Sequence, residues 1–155
     1  MSAVRVSLVD VYVVRRIGSS LQCLALRRAA GGRCPGSWES VHGHIEASER
    51  PAAAATRELE EETGLAPTRL YNLSRVELFY QHGTDEVALV PVFVALVETD
   101  AAVRLGAEHD AFEWLASDAA RRRFAWPRER RALDDIEVLL GGGDAGPVED
   151  VLRVC

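Results

Sequence analysis

Lysine is absent from this chain of 155 residues: all 18 basic side chains are arginine, a bias that reflects genome composition more than function. Aspartate and glutamate number 24, so net charge is −6 and there is no basic surplus. A nonspecific nucleic-acid binder needs a basic face, so nucleic acid is not an expected partner. No apolar run approaches the roughly 20 residues of a membrane span. The opening "MSAVRVSLVD" lacks the basic region and apolar core of a signal peptide. Cysteine is scarce and unpaired in pattern. Cys23, Cys34 and Cys155 are odd in number with no CxxC spacing, which excludes a disulfide frame or zinc site and fits free thiols in a reducing compartment. These absences point to a soluble, cytoplasmic protein with no membrane partner. No internal repeat or long linker divides the chain. With 48% hydrophobic residues it reads as one domain over residues 1–155.

The regular elements follow from local pattern. Val4 to Arg16 is rich in β-branched residues and reads as one strand, with Leu21 to Ala29 as the returning half of a hairpin. "AGGRCPGS" is a loop, and "WESVHG" a short strand. Ser48 is an expected N-cap and Pro51 suits a first turn. Ala52 to Ala55 and "TRELEEET" are strong helix formers, and Gly64 is placed to end the helix, which is predicted over residues 49–63. Residues 70–81 and 87–98 read as strands joined by "HGTDE". A short strand is expected around Phe112 to Leu115 and a helix over Arg128 to Gly141. "GGGDAGP" is a break before a short helix or tail. Trp38 and Trp114 fall on strands and read as core.

The stretch "RELEEETGL" carries the chemistry. Glu58, Glu61 and Glu62 fall on one broad helix face, while Ala55 and Leu59 face a sheet and Glu60 points to solvent. Like charges at this spacing repel by a few tenths of a kcal/mol per pair. Arg57, four residues before Glu61, can hold its carboxylate. Oxygen donors on a rigid helix suit a hard divalent cation, Mg²⁺ or Mn²⁺, and Mg²⁺ sites combine one or two carboxylates with substrate phosphates. Phosphate chemistry is the expectation.

Gly43, Glu49, Arg57, Glu58, Leu59, Glu61, Glu62, Gly64 and Leu65 meet every fixed position of G-x5-E-x7-R-E-U-x-E-E-x-G-U, where U is apolar. The stretch 43–65 resembles the box of the Nudix hydrolase family. The resemblance implies an α+β fold, an α/β/α sandwich with a mixed β-sheet. It also implies Mg²⁺- or Mn²⁺-dependent hydrolysis of a nucleoside diphosphate linked to another group. By resemblance Gly43, Glu58, Glu61 and Glu62 hold metal. Arg57 orients the glutamates, Glu49 is an accessory, and Glu61 or Glu108 is among the candidates for general base. Arg27 or Arg28 contacts substrate phosphate. Tyr80 and Trp126, with Phe79, Gln81 and His82, are candidates for the base. His42 and His44 flank the metal region as polar neighbours, because a hard metal prefers oxygen.

Where many relatives carry "PGG" leading into the box, this chain has "VHG", and Ser48 replaces a common glycine. "SWESVHGHIEASERP" and "FEWLASDAARRRFAWPRERRALDDI" resemble the branch that includes dihydroneopterin triphosphate pyrophosphohydrolases. The expected substrate is a (d)NTP or dihydroneopterin triphosphate-like small molecule. Diadenosine polyphosphates, ADP-ribose, nucleotide sugars and capped RNA are alternatives, as is a catalytically silent nucleotide sensor. An isopentenyl diphosphate isomerase would need its cysteine in the strand before the box, whereas Cys34 lies in a loop. Family members are commonly homodimers.

Overall fold

A computed structural model describes all residues, 1–155. In chain order it contains β1 (Ala3–Val6), β2 (Leu8–Ile17), β3 (Ser20–Arg28), β4 (Trp38–Glu39), β5 (Val41–His44), α1 (Pro51–Thr63), β6 (Arg69–Gln81), β7 (Glu86–Leu96), β8 (His109–Ala116), α2 (Ser117–Arg123), α3 (Pro127–Leu140) and α4 (Glu149–Leu152). The eight strands form one mixed sheet. β2 runs parallel to β7 and antiparallel to β3, and β6 closes one side of β7.

Alternation along β2 sends its side chains to two separate cores. Val9, Val11 and Val13 pack with Ala54, Ala55 and Leu59 of α1. Tyr12 and Val14 pack with Ala120 of α2 and with Leu133, Ile136 and Leu140 of α3. Helices therefore cover both faces, and the chain is an α/β/α sandwich of the α+β class. No helix is long and apolar enough to cross a membrane.

Several expectations are revised. Val4 to Arg16 is two strands lying end to end beside β7. From Val6 to Asp10 is four residues, while their partners Leu89 and Val92 are three apart, so one extra residue breaks the ladder near Ser7. Helix α1 starts at Pro51 after Arg50, and no side chain caps it. Ser48 instead takes a left-handed turn conformation, with φ +66°, inside the 46–49 turn. The strand around Phe112 runs from His109 to Ala116. Helix α2 had no expectation, because seven residues give too short a periodicity to read. Trp38 and Trp114 are only half-buried. Arg27 and Arg123 lie on Trp38, and Arg15 on Trp114.

β2 splits its pairing, and that split positions the site. Its first half pairs with β5 and its second half with β3. The crossover between them runs through β4 and Ser40. Ser40 donates its backbone N–H to the buried Glu129 of α3 at 2.6 Å. Burial pushes the Glu129 carboxyl up from 4.5 to about 7, despite that bond.

Below pH 4.5 Glu129 is protonated in both the folded and unfolded states. Between pH 4.5 and about 7 only the unfolded chain ionises. Wild-type stability should therefore fall by about 3 kcal/mol across that window relative to Glu129→Gln. Urea midpoints at pH 4.5 and pH 8 measure the difference, and parallel curves for the two proteins would refute it.

Candidate active site

The box helix meets β5 at an unusually close contact. A Cβ built on Gly43 would lie 2.0 Å from the Glu58 carboxyl carbon, so only glycine lets that carboxylate rest on the strand. The site grows outward from this contact.

Arg57 is the organising cation. Its Nε and Nη2 donate to the two oxygens of Glu49 at 2.9 and 2.8 Å. Nη1 donates to Glu58 at 2.7 Å and to Glu61 at 3.3 Å, and Nη2 also reaches the His44 carbonyl at 2.8 Å. The hydrogen bond from Arg57 holds Glu49 down at about 2. The guanidinium thus joins α1, the 46–49 turn and the end of β5. Glu61 remains largely exposed, with its side chain 58% accessible.

Glu62 lies outside that reach. It is buried, and its Oε2 has no hydrogen-bond partner. Burial, then the charges of Glu108, Glu58 and Glu39, push its carboxyl from 4.5 up to about 9. Glu58 is raised too, by burial first, with Arg57 opposing and Glu61 and Glu108 adding. Glu108 arrives on a segment pinned to the helix end. Arg104 N donates to the Thr63 carbonyl at 2.7 Å and Gly106 N to the Glu62 carbonyl at 3.1 Å. Glu58, Glu61, Glu62 and Glu108 line one shallow hollow.

Behind Glu62 lies a buried chain that no local motif announced. His109 is fully buried. Its Nε2 is 3.0 Å from Glu39, whose other partner is Arg28 at 2.9 Å. His109 Nδ1 has no partner and faces the orphan Glu62 Oε2 at 4.0 Å. Burial raises the Glu39 carboxyl, but the bonds from His109 and Arg28 outweigh it and hold the group below its usual range.

A larger cleft of about 340 Å³ adjoins the carboxylates and contains Gly43, Glu58, Glu108, Arg28 and Trp126. Strand parity sorts the other expected residues. Arg28 follows Leu24 and Leu26 on the α1 side of β3, whereas Arg27 faces the opposite side and pairs with Asp110 at 2.7 Å. Arg27 therefore stays outside the cleft. Tyr80 stays outside as well: Phe79 and Gln81 face into the cleft beside Leu8 and Val90, and alternation turns Tyr80 away, its hydroxyl donating to Asp85. His42 lines the cleft too. Its Nδ1 is 2.5 Å from Asp10, a fully buried carboxylate that also accepts from Arg128 Nε at 2.8 Å. Asp10, Glu39, His109 and Arg128 had no expectation. Only Asp10 carries a sequence signal, as a charged residue inside an otherwise apolar strand.

No three His, Cys, Asp or Glu side chains converge closely enough to hold a metal ion unaided. The donor set nevertheless fits a hard divalent cation of the kind completed by waters and phosphate oxygens. Glu62 presents an unpartnered buried oxygen, its neighbours are carboxylates, and the Glu58 carboxylate lies against the Gly43 backbone.

With chelator present at pH 7, Glu62→Gln should be more stable than wild type by about 1–3 kcal/mol, because a carboxyl raised to about 9 resists the ionisation that the unfolded chain completes. The gain should vanish below pH 4. Thermal denaturation in EDTA reads it, and a Gln variant less stable than wild type at pH 7 would overturn the description of Glu62.

A model of the NUDIX domain family matches residues 6–136. Over 132 residues the chain is 40% identical to an octanoyltransferase of Myxococcus xanthus, an overlap of 81% of this chain and 35% of that protein. Over 85 residues it is 32% identical to the asymmetrical bis(5'-nucleosyl)-tetraphosphatase of Rattus norvegicus, covering 54% of this chain and 58% of the rat protein. The chain thus spans about a third of the first relative's length and somewhat more than half of the second's. Its fold is similar to that of the dihydroneopterin triphosphate pyrophosphohydrolase of E. coli, with a TM-score of 0.70, 21% identity, and coverage of 89% of this chain and 99% of that one.

Proposed function

The chain belongs to the Nudix family, and we propose that it is a divalent-metal-dependent pyrophosphohydrolase of a nucleoside polyphosphate. The observation that carries this reading is the charge imbalance at Glu62. A buried carboxyl pushed up to about 9 by burial and three neighbouring carboxylates is a site short of positive charge. A cation on Glu58, Glu61 and Glu62, with the Gly43 carbonyl, would restore the balance and draw in a polyphosphate. Bound there, Mg²⁺ or Mn²⁺ supplies charge neutralisation at the phosphates and a more acidic water.

The chain's own groups divide the remaining work. Arg57 fixes Glu58 and tethers the more exposed Glu61. Glu108 and Glu61 both line the hollow, and either is a candidate to accept the proton of the attacking water. Arg28, held by Glu39 and the Arg33 carbonyl, offers a fixed cation to the departing phosphate. Trp126 and Phe79, which line the same cleft, offer apolar surface to a base. The substrate class that suits this layout is a (d)NTP-like molecule with phosphates at the acidic end and its ring at the aromatic end. The activity that names the rat relative, on a bis(5'-nucleosyl) tetraphosphate, supports a dinucleoside polyphosphate as the second reading.

Glu58→Gln and Glu62→Gln should lose more activity than the roughly 100-fold that follows loss of a supporting partner alone. Gly43→Ala should act like Glu58→Gln, because the added methyl occupies the place of the Glu58 carboxylate. Turnover of a (d)NTP panel should cease in excess chelator and return with Mg²⁺ or Mn²⁺, and Tm should rise when the metal is restored. Persistent turnover in chelator, or full activity in either glutamine variant, refutes the reading.

A further inference from the structure

Asp10 lies behind the cleft-lining residues His42 and Arg128, with no accessible surface. Burying a carboxylate there carries a large desolvation penalty that only close pairing offsets. Two cleft residues pair it. His42 Nδ1 sits 2.5 Å from Oδ1, and Arg128 Nε sits 2.8 Å from Oδ2 with Nη2 3.4 Å from Oδ1. Burial raises the carboxyl, but the hydrogen bond and charge of His42 and then the charge of Arg128 outweigh it, so Asp10 stays ionised. The residues come from β2, β5 and α3, up to 118 positions apart.

The geometry of Arg128 has a consequence for recognition. A guanidinium is a rigid planar fork with five N–H donors. Asp10 takes the side edge made by Nε and Nη2. The end edge, Nη1 with the outer hydrogen of Nη2, has no protein partner. Arg128 lines the cleft, its carbon Cζ lies 5.2 Å from the centre of the Trp126 ring, and Phe79, Leu8 and Val90 supply apolar surface nearby. A fixed pair of donors in a cleft that also presents Trp126 and Phe79 suits a flat ring with two adjacent acceptors. Guanine offers O6 and N7 in that arrangement. Adenine replaces O6 with an amino donor, which would meet the fork donor to donor.

We infer that Arg128, locked by Asp10, reads the O6/N7 edge of a guanine base, and that His42, held by the same carboxylate, shapes the neighbouring wall of that subsite. The inference rests on the pyrophosphohydrolase reading for its turnover readout, but not for its binding readout. It assigns Asp10 as a positioning residue and Arg128 as the specificity-determining one.

The test uses the full chain with Mg²⁺ and four triphosphates: dGTP, dITP, 7-deaza-dGTP and dATP. dITP keeps both acceptors, 7-deaza-dGTP loses N7, and dATP loses O6. Expected kcat/KM is similar for dGTP and dITP and lower for 7-deaza-dGTP and dATP. The gap should be on the order of 10-fold or more, the discrimination that one bidentate arginine–guanine pair supplies. It should sit mainly in KM. Dihydroneopterin triphosphate, with a carbonyl oxygen beside a ring nitrogen, is a further arm that separates a pterin from a guanine as the source of that edge. Arg128→Lys keeps the charge but not the fork and should bring the dGTP to dATP ratio toward one. Asp10→Asn should move the same ratio in the same direction. The nucleotide comparisons need no variant, so a misfolded mutant does not remove the test.

Equal kcat/KM for dGTP, 7-deaza-dGTP and dATP overturns the inference, as does a loss in Arg128→Lys that is equal for every base, which would place a phosphate on the fork. If no nucleotide is turned over, calorimetry with dGTP and dATP still decides. Guanine-selective binding without turnover sinks the enzymatic reading and keeps this one, and equal binding sinks this one.

Discussion

The site depends on the absence of one carbon atom. With no Cβ at Gly43, the Glu58 carboxylate rests against the β5 backbone, and helix α1 can sit at that distance from the sheet. Everything acidic in the site is measured from that contact. Arg57 then clamps Glu58 and Glu49 from the other side, and Glu62, one turn further along α1, is carried into a position no arginine of the box reaches. A side chain at residue 43 would displace the Glu58 carboxylate from its place on the strand.

The short stretch Glu39 to His44 shows how tightly one strand can be tied into a site. Glu39 is held by Arg28 and His109, Ser40 by Glu129, and His42 by Asp10. Gly43 lies under Glu58, and the His44 carbonyl accepts from Arg57. Val41 faces the α1 core. These contacts reach β2, β3, β8, α1 and α3, so the segment cannot shift without disturbing them. The start of α3 plays the matching role opposite. Trp126, Arg128 and Glu129 supply a ring, a fork and the acceptor for Ser40 within four residues. The recognition end and the acidic end are thereby mechanically joined, although their side chains are unlike.

What could be read from the sequence follows from how far apart the interacting residues are. Glu58, Glu61, Glu62 and Arg57 were legible because helical spacing is local and three or four residues bring them together. The sandwich was legible only through the resemblance that the box carries, because the alternation of β2 is broken and β7 is apolar on both faces. The Asp10–Arg128 pair spans 118 residues, and Glu39–His109 spans 70, so neither leaves a local pattern. Tyr80 and Arg27 show a second limit. Alternation establishes that a strand has two faces, but near the end of β6, where both faces are open, nothing in the residues says which one borders the cleft. The bulge near Ser7 is a third case. It needs the partner strand's register to be seen, and Val4 to Arg16 reads as continuous without it.

Stability and charge pull against each other here in a definite place. His109 Nδ1 and Glu62 Oε2 are both buried, both unpartnered, and face one another across 4.0 Å. A fold selected only for stability would close that gap or replace both groups with apolar ones, since a buried unsatisfied polar atom costs roughly 1–3 kcal/mol. Glu39 shows that the same neighbourhood can satisfy a carboxylate fully, because it holds an arginine and an imidazole and stays ionised. Two glutamates on either side of one imidazole are therefore treated in opposite ways. Glu39 is neutralised from behind by the protein, which leaves Glu62 as the one buried carboxylate whose counter-charge must come from the cleft side. That asymmetry makes the acidic hollow a place for an incoming cation rather than a self-satisfied ion-pair network.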